Sequence, residues 1–234
     1  MITIRRSEER GYANHGWLDT HYSFSFSDYY DPRHMGFRDL RVINEDVVSA
    51  GRGFGMHPHR DMEILTYVVD GELTHRDSMG RGATLRRHDV QRMSAGTGIM
   101  HSEVNQSQKP VHLLQIWLLP WAEGLKSTYE DRTFTAEEKS NQLRLIASDD
   151  GRDGSTTINQ DASVYASLLD SGKSIELELK PERHAWVQLI GGELEVNDTK
   201  LENGDGAAIS GETALKFTST GDAVKAEFLV FDLA

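Results

Sequence analysis

Two short histidine clusters carry the most visible chemistry in this chain: His57-Pro58-His59 and His101-Ser102-Glu103. Successive side chains of a β-strand alternate faces, so residues two apart point the same way. Each cluster therefore offers two ligands to one face. Two neighbouring strands carrying such pairs bring three imidazoles and one carboxylate to a single point. That donor set suits Fe(II), Mn, Ni, Co, Cu(II) or Zn, whereas Mg and Ca favour all-oxygen shells. Four protein ligands leave about two octahedral positions open for a chelating substrate, or for substrate and dioxygen; an open position is what separates catalytic from structural metal sites. Glu103 then serves twice, as a ligand and as the catalytic base that takes a proton from an enol or hydroxyl group.

Placing two such pairs side by side requires adjacent strands, and the rest of the sequence has strand character. Short β-branched and aromatic runs, such as Leu40 to Ile43, Ile64 to Val69, Leu113 to Leu119 and Trp186 to Ile190, are punctuated by Gly, Asp or Asn, a pattern of sandwiches and barrels. The predicted fold is all-β. One short connecting helix is expected within Phe134 to Gln142, where Thr135 and Glu138 stand in capping-box spacing. Gly51, Gly53 and Gly55 precede the first cluster and Gly96 and Gly98 the second, which permits tight turns or close backbone approach.

The chain also resembles itself. Thr66 to His75 (TYVVDGELTH) matches Val187 to Val196 (VQLIGGELEV), with Gly71 and Gly192 121 residues apart. Leu85, Asp89 and Ser94 recur as Leu201, Asp205 and Ser210, now 116 residues apart. Two related β-domains are predicted, 1–132 and 133–234, joined in the polar stretch between Trp121 and Asp161. These offsets set Glu178 and Lys180 against His57 and His59, and Phe217 and Ser219 against His101 and Glu103. The second domain thus lacks the donor set and is read as a support, lid or interaction domain, with His184 a surface or packing residue.

Gly51, His57, His59 and Gly71, followed by Gly98, His101 and Asn105, are spaced as in the two motifs of the cupin superfamily, which this region resembles. Ile64 stands where the usual glutamate falls, with Glu63 one residue early, and Gly96 and Val90 replace the usual proline and glycine. Those departures resemble the pirin family, in which the acidic ligand comes from HxE in the second motif, here His101 and Glu103. Asn14 to Pro32, Leu40 to Asp46, His57 to Gly80 and Met93 to Glu103 all look like pirin sequence. The resemblance covers the first half, and the internal repeat extends it. It implies a bicupin, two double-stranded β-helix or jelly-roll barrels, with one metal in the N-terminal barrel at His57, His59, His101 and Glu103. Fe(II) is the first choice, with Mn, Ni, Co, Cu or Zn as alternatives. It further implies an oxidoreductase of the quercetin 2,3-dioxygenase type. A flavonol would chelate the metal through its 3-hydroxyl and 4-carbonyl, and dioxygen would open the ring at the 2,3 bond with release of CO.

Two other readings compete. One is an iron-dependent, redox-responsive regulatory protein acting on a protein partner; the other is a metal-dependent sugar isomerase, which would want Arg60, Arg76 or Arg92 near the ligands to hold a phosphate. Composition narrows the partners: 25 basic against 37 acidic residues give −12, which disfavours nucleic acid and anionic membranes. The absence of cysteine excludes disulfides, Fe–S clusters, Cys-based zinc sites and thiol nucleophiles. No apolar run reaches the ~18 residues of a membrane span, and the start MITIRRSEERGYANHGW lacks the apolar core of a secretory signal. A cytoplasmic monomer taking a small aromatic substrate and O2 is the expectation. Tyr22, Phe24 and Phe26 read as one packed strand face, while Gln115 and Trp117, sharing a face with Leu113, are expected near the metal.

Overall fold

The computed structural model describes residues 1–221 and 225–234 and is built almost wholly of strands. The chain divides into two compact units. One comprises Gly11–Thr133 and Thr156–Gln160; the other comprises Met1–Arg10, Phe134–Ser155 and Asp161–Ala234.

In the first unit, one sheet runs in the order Thr128–Thr133, Asp89–Ser94, Glu63–Asp70, Val111–Leu118, Leu40–Val48, Leu18–Tyr22, Gly11–Asn14. A second sheet runs Gly53–His59, Ile99–Val104, Glu72–Asp77, Gly82–Arg86. All of these pairings are antiparallel. At one end of the barrel, Leu18, Val48, Val68, Leu73, Leu85, Val111 and Leu113 form a buried cluster, each contributed by the inward face of its strand. The other unit repeats the plan. One of its sheets carries Ile2–Arg5, Gly206–Ser210, His184–Gly191, Ala226–Leu233, Ala162–Leu169 and Arg144–Ser148 in that order. Its second sheet carries Ser174–Glu178, Ala214–Ser219, Leu194–Val196 and Thr199–Leu201.

Residues matched by the repeat do the same work in both units. Gly71 and Gly192 each turn a hairpin at φ 82° and 80°. A Cβ on either would come within 2.7 or 2.8 Å of a facing carbonyl, that of Pro110 or of Lys225. Asp89 accepts from Arg86 N at 2.7 Å, and Asp205 from Glu202 N at 3.0 Å, closing equivalent turns. Leu85 and Leu201 are both core residues.

A simple division into 1–132 and 133–234 misses two exchanges. Ile2–Arg5 pairs with Gly206–Ser210, and Arg6 binds Asp205 at 2.6 Å, so the first ten residues belong to the unit built from the C-terminal half. Thr156–Gln160 joins the first unit, where Trp121 N donates to Asn159 O at 2.8 Å. The short helix is Ala136–Lys139, and Thr135 and Glu138 make both bonds of the capping box. Among the described residues no helix is long and apolar enough to cross a membrane.

Candidate metal centre

Gly53–His59 and Ile99–Val104 are ladder neighbours, with His101 directly across from His57 and Ile99 across from His59. This register brings the three imidazoles together. One ring nitrogen from each of His57, His59 and His101 lies within 4.8 Å of the others. Between His101 and Glu103 the register shifts, because Glu103 faces Phe54 with two residues of the partner strand intervening before His57. Such a bulge breaks strict alternation. It lets Phe54 share the inward face with His57, where it packs edge-on to Trp17 at 5.2 Å.

The free nitrogens are the ones a cation needs. His57 Nδ1 is 2.7 Å from the Gly55 carbonyl, to which it donates, leaving Nε2 free for a cation. His101 Nδ1 lies 3.0 Å from His75 Nε2, while its buried Nε2 has no hydrogen-bond partner. A cation at that Nε2 requires the proton on Nδ1, so His101 donates and His75 accepts. Burial lowers His59 to about 4 and His101 to about 2, with the neighbouring histidines adding to the effect, so both are neutral with lone pairs available near pH 7. An unpartnered nitrogen aimed between two other imidazoles fits a divalent transition metal.

Glu103 stands outside the three-histidine group but lines the same cavity. Its Oε1 accepts from Gln115 Nε2 at 2.7 Å and from Thr66 Oγ1 at 3.3 Å. Burial pushes its carboxyl up to about 7 against those two hydrogen bonds. The cavity has a volume of about 260 Å³, and Leu18, Tyr22, Phe26, Phe54 and Trp117 supply apolar walls. His59 meets Trp117 edge-on at 5.0 Å, and Phe26 meets it at 5.3 Å.

Several sequence expectations find their places here. Gln115 and Trp117 line the cavity as anticipated. The supposed packed stripe divides: Phe24 is buried in the core at 2% exposure, whereas Tyr22 and Phe26 form cavity wall, because the strand ends at Tyr22 and the chain turns. Glu63 points away from the cavity and accepts from Ser94 Oγ at 2.6 Å and Asn159 Nδ2 at 3.0 Å. Arg60 and Arg76 are exposed and Arg92 pairs with Glu130 at 2.5 Å; none of the three lines the cavity, which removes the phosphate grip of a sugar isomerase. In the other unit Glu178 and Lys180 are exposed, and Phe217 and Ser219 are buried, with Phe217 part of a continuous apolar core. His184 lies 2.8 Å from Ser210 Oγ.

His75 escaped the sequence reading. It is fully buried, stacks on Tyr129 at 5.1 Å, and faces Glu103 across the ladder. Its signal was the alternation of Leu73, His75 and Asp77, which sets all three inward on Glu72–Asp77.

Comparison with known proteins fits this geometry. The family model described as Pirin matches residues 3–118, and that described as Quercetinase C-terminal cupin domain matches 145–233. A curated relative from Escherichia coli K12, named quercetin 2,3-dioxygenase, is 46% identical over 100% of this chain and 99% of its own length. A putative quercetin 2,3-dioxygenase from Pasteurella multocida is 43% identical over 100% of both chains. The crystal structure of the bacterial pirin YhhW from Escherichia coli in complex with nickel(II) superposes with a TM-score of 0.94 at 45% identity, covering 100% of this chain and 99% of that one.

Proposed function

Since the chain belongs to the pirin family, we propose that it is a metal-dependent dioxygenase that opens a flavonol of the quercetin kind at its 2,3 bond, with O2 consumed and CO released. The observation that carries this reading is the unpartnered, buried Nε2 of His101, set among His57 and His59 in an aromatic-walled cavity that also holds Glu103. The names of the relatives supply the reaction class.

His57, His59 and His101 would hold the metal, with Glu103 as the fourth ligand, and Fe(II) is the first candidate among the ions the site accepts. When bound, the metal supplies a Lewis acid for the substrate's 3-hydroxyl and 4-carbonyl and, if redox active, an electron path to oxygen. The protein's part is to hold and place. Tyr22, Phe26 and Trp117 supply aromatic walls against which flat rings would pack. Glu103, lining the same cavity as the three histidines, is the carboxylate placed to receive the 3-hydroxyl proton. Gln115 and Thr66 hold Oε1 of the carboxylate with two donated hydrogen bonds.

Anaerobic reconstitution of the apo protein with Fe(II), Mn, Ni, Co or Cu(II), followed by oxygen uptake with quercetin, tests the reading. One ion per chain is expected, with uptake lowered about 10²- to 10⁴-fold in Glu103→Ala and metal lost in His101→Ala. His184→Ala is expected to keep both. Stoichiometric metal without uptake would remove the dioxygenase reading and favour the redox-responsive regulatory one.

A further inference from the structure

The sheet facing the histidines carries two polar side chains in the cavity, each with one oxygen that the protein leaves unpaired, that the reaction above does not use. Asn44 and Asp46 both line the cavity and are only 5% and 3% exposed. Asn44 Oδ1 and Asp46 Oδ1 are buried without a hydrogen-bond partner. Native structures seldom leave such oxygens unpaired without a reason, and a bound molecule is one. Both residues lie on Leu40–Val48, two apart and hence on one face, roughly 7 Å from each other along the strand.

Their position relative to Glu103 follows from the register. Gln115, which donates to Glu103, is the direct ladder partner of Asn44, and Asp46 lies across from Leu113 on one side and Thr20 on the other. A polar track thus leads from Glu103 through Gln115 to Asn44 and Asp46, between the apolar walls of Leu18 and Tyr22. An anionic ligand group is disfavoured there by the carboxyls of Asp46 and Glu103. A neutral hydroxyl is favoured, since a phenolic O–H donates to a carboxylate or amide oxygen.

We infer that Asn44 and Asp46 form a hydroxyl-binding subsite, which selects planar aromatic ligands bearing ring hydroxyls besides the oxygen pair that meets the histidines. The inference rests on the flavonol reading and deepens it by naming the residues that hold the ring hydroxyls.

Quercetin and 3-hydroxyflavone share the chelating 3-hydroxyl and 4-carbonyl and differ in ring hydroxyls, so the pair isolates the subsite. Their equilibrium binding to nickel(II)-loaded protein is measured for wild type, Asn44→Leu, Asp46→Leu and the shape-preserving Asp46→Asn, with bound nickel checked in each. Wild type is expected to bind quercetin about tenfold more tightly than 3-hydroxyflavone. Each leucine variant is expected to close most of that gap by weakening quercetin alone. Asp46→Asn, which retains an acceptor oxygen, is expected to keep part of the gap, and it decides the matter if the leucine variants fail to load nickel. Equal binding of both ligands by wild type, no binding of either, or an equal loss of both in the variants would overturn the subsite. Oxygen uptake is read separately. A preserved binding difference without uptake leaves the subsite standing and removes the dioxygenase reading; uptake without a binding difference does the reverse.

Discussion

A cation at this site needs neutral imidazoles, and burial supplies them. His59 and His75 are both lowered to about 4 and His101 to about 2, in each case chiefly by desolvation of the charged form. Orientation comes from partners outside the three-histidine group: the Gly55 carbonyl for His57 and the His75 ring for His101. Such outer contacts commonly contribute 10- to 100-fold in metal affinity, so His75→Ala should weaken the metal by about that factor. Competition against a chelator of known strength measures it. Unchanged affinity would reduce His75 to a packing residue. A conservative swap to another buried ring, such as His75→Phe, should behave like the alanine variant, since the lost feature is the acceptor nitrogen rather than the volume.

At the scale of elements, the bulge in Gly53–His59 governs the site. It seats Phe54 and His57 on one face and fixes how the strand passes Glu103. Gly53 makes that passage possible: at φ 158° its backbone approaches so closely that a Cβ would overlap the Glu103 carbonyl oxygen. Gly53→Ala must therefore push the two strands apart or distort one of them. A cost of about 1–3 kcal/mol is expected, seen as a fall of several degrees in Tm, together with a drop in kcat larger than the change in bound metal because Glu103 moves with its backbone. A variant matching wild type in both Tm and kcat would contradict this account of the strand.

For the whole molecule, two units of common plan have diverged in what fills their centres. The unit holding His57, His59 and His101 keeps a cavity, whereas the other has Phe217, Phe228, Leu189 and Val230 packed together, with Phe217 and Phe228 ring centroids 5.2 Å apart. Phe217→Ala should cost about 3–5 kcal/mol by leaving a void, with metal stoichiometry unchanged. Nickel at about 100 times its Kd should stabilise the unit holding the three histidines by about 2.7 kcal/mol in wild type, and not in His101→Ala. Calorimetry with and without metal checks both effects, and a Phe217→Ala protein that no longer binds nickel would show the two units to be energetically inseparable.

Periodicity is local and is written into the chain, which is why so much was legible there. The period-two placement of His57 with His59 and of His101 with Glu103, the glycine-punctuated strands, the capping box at Thr135 and the repeat aligning Gly71 with Gly192 all follow from spacing along one strand or turn. Register and long-range approach are not local. They alone decided that Glu103 rests on Gln115 and Thr66, that His75 meets His101, that Tyr22 and Phe26 face a cavity, and that Ile2–Arg5 pairs with Gly206–Ser210. They also left one side-chain oxygen each of Asn44 and Asp46 without a partner. A strand's side-chain pattern states which face is buried; what that face meets depends on strands many residues away, whose offset by a single bulge changes every contact.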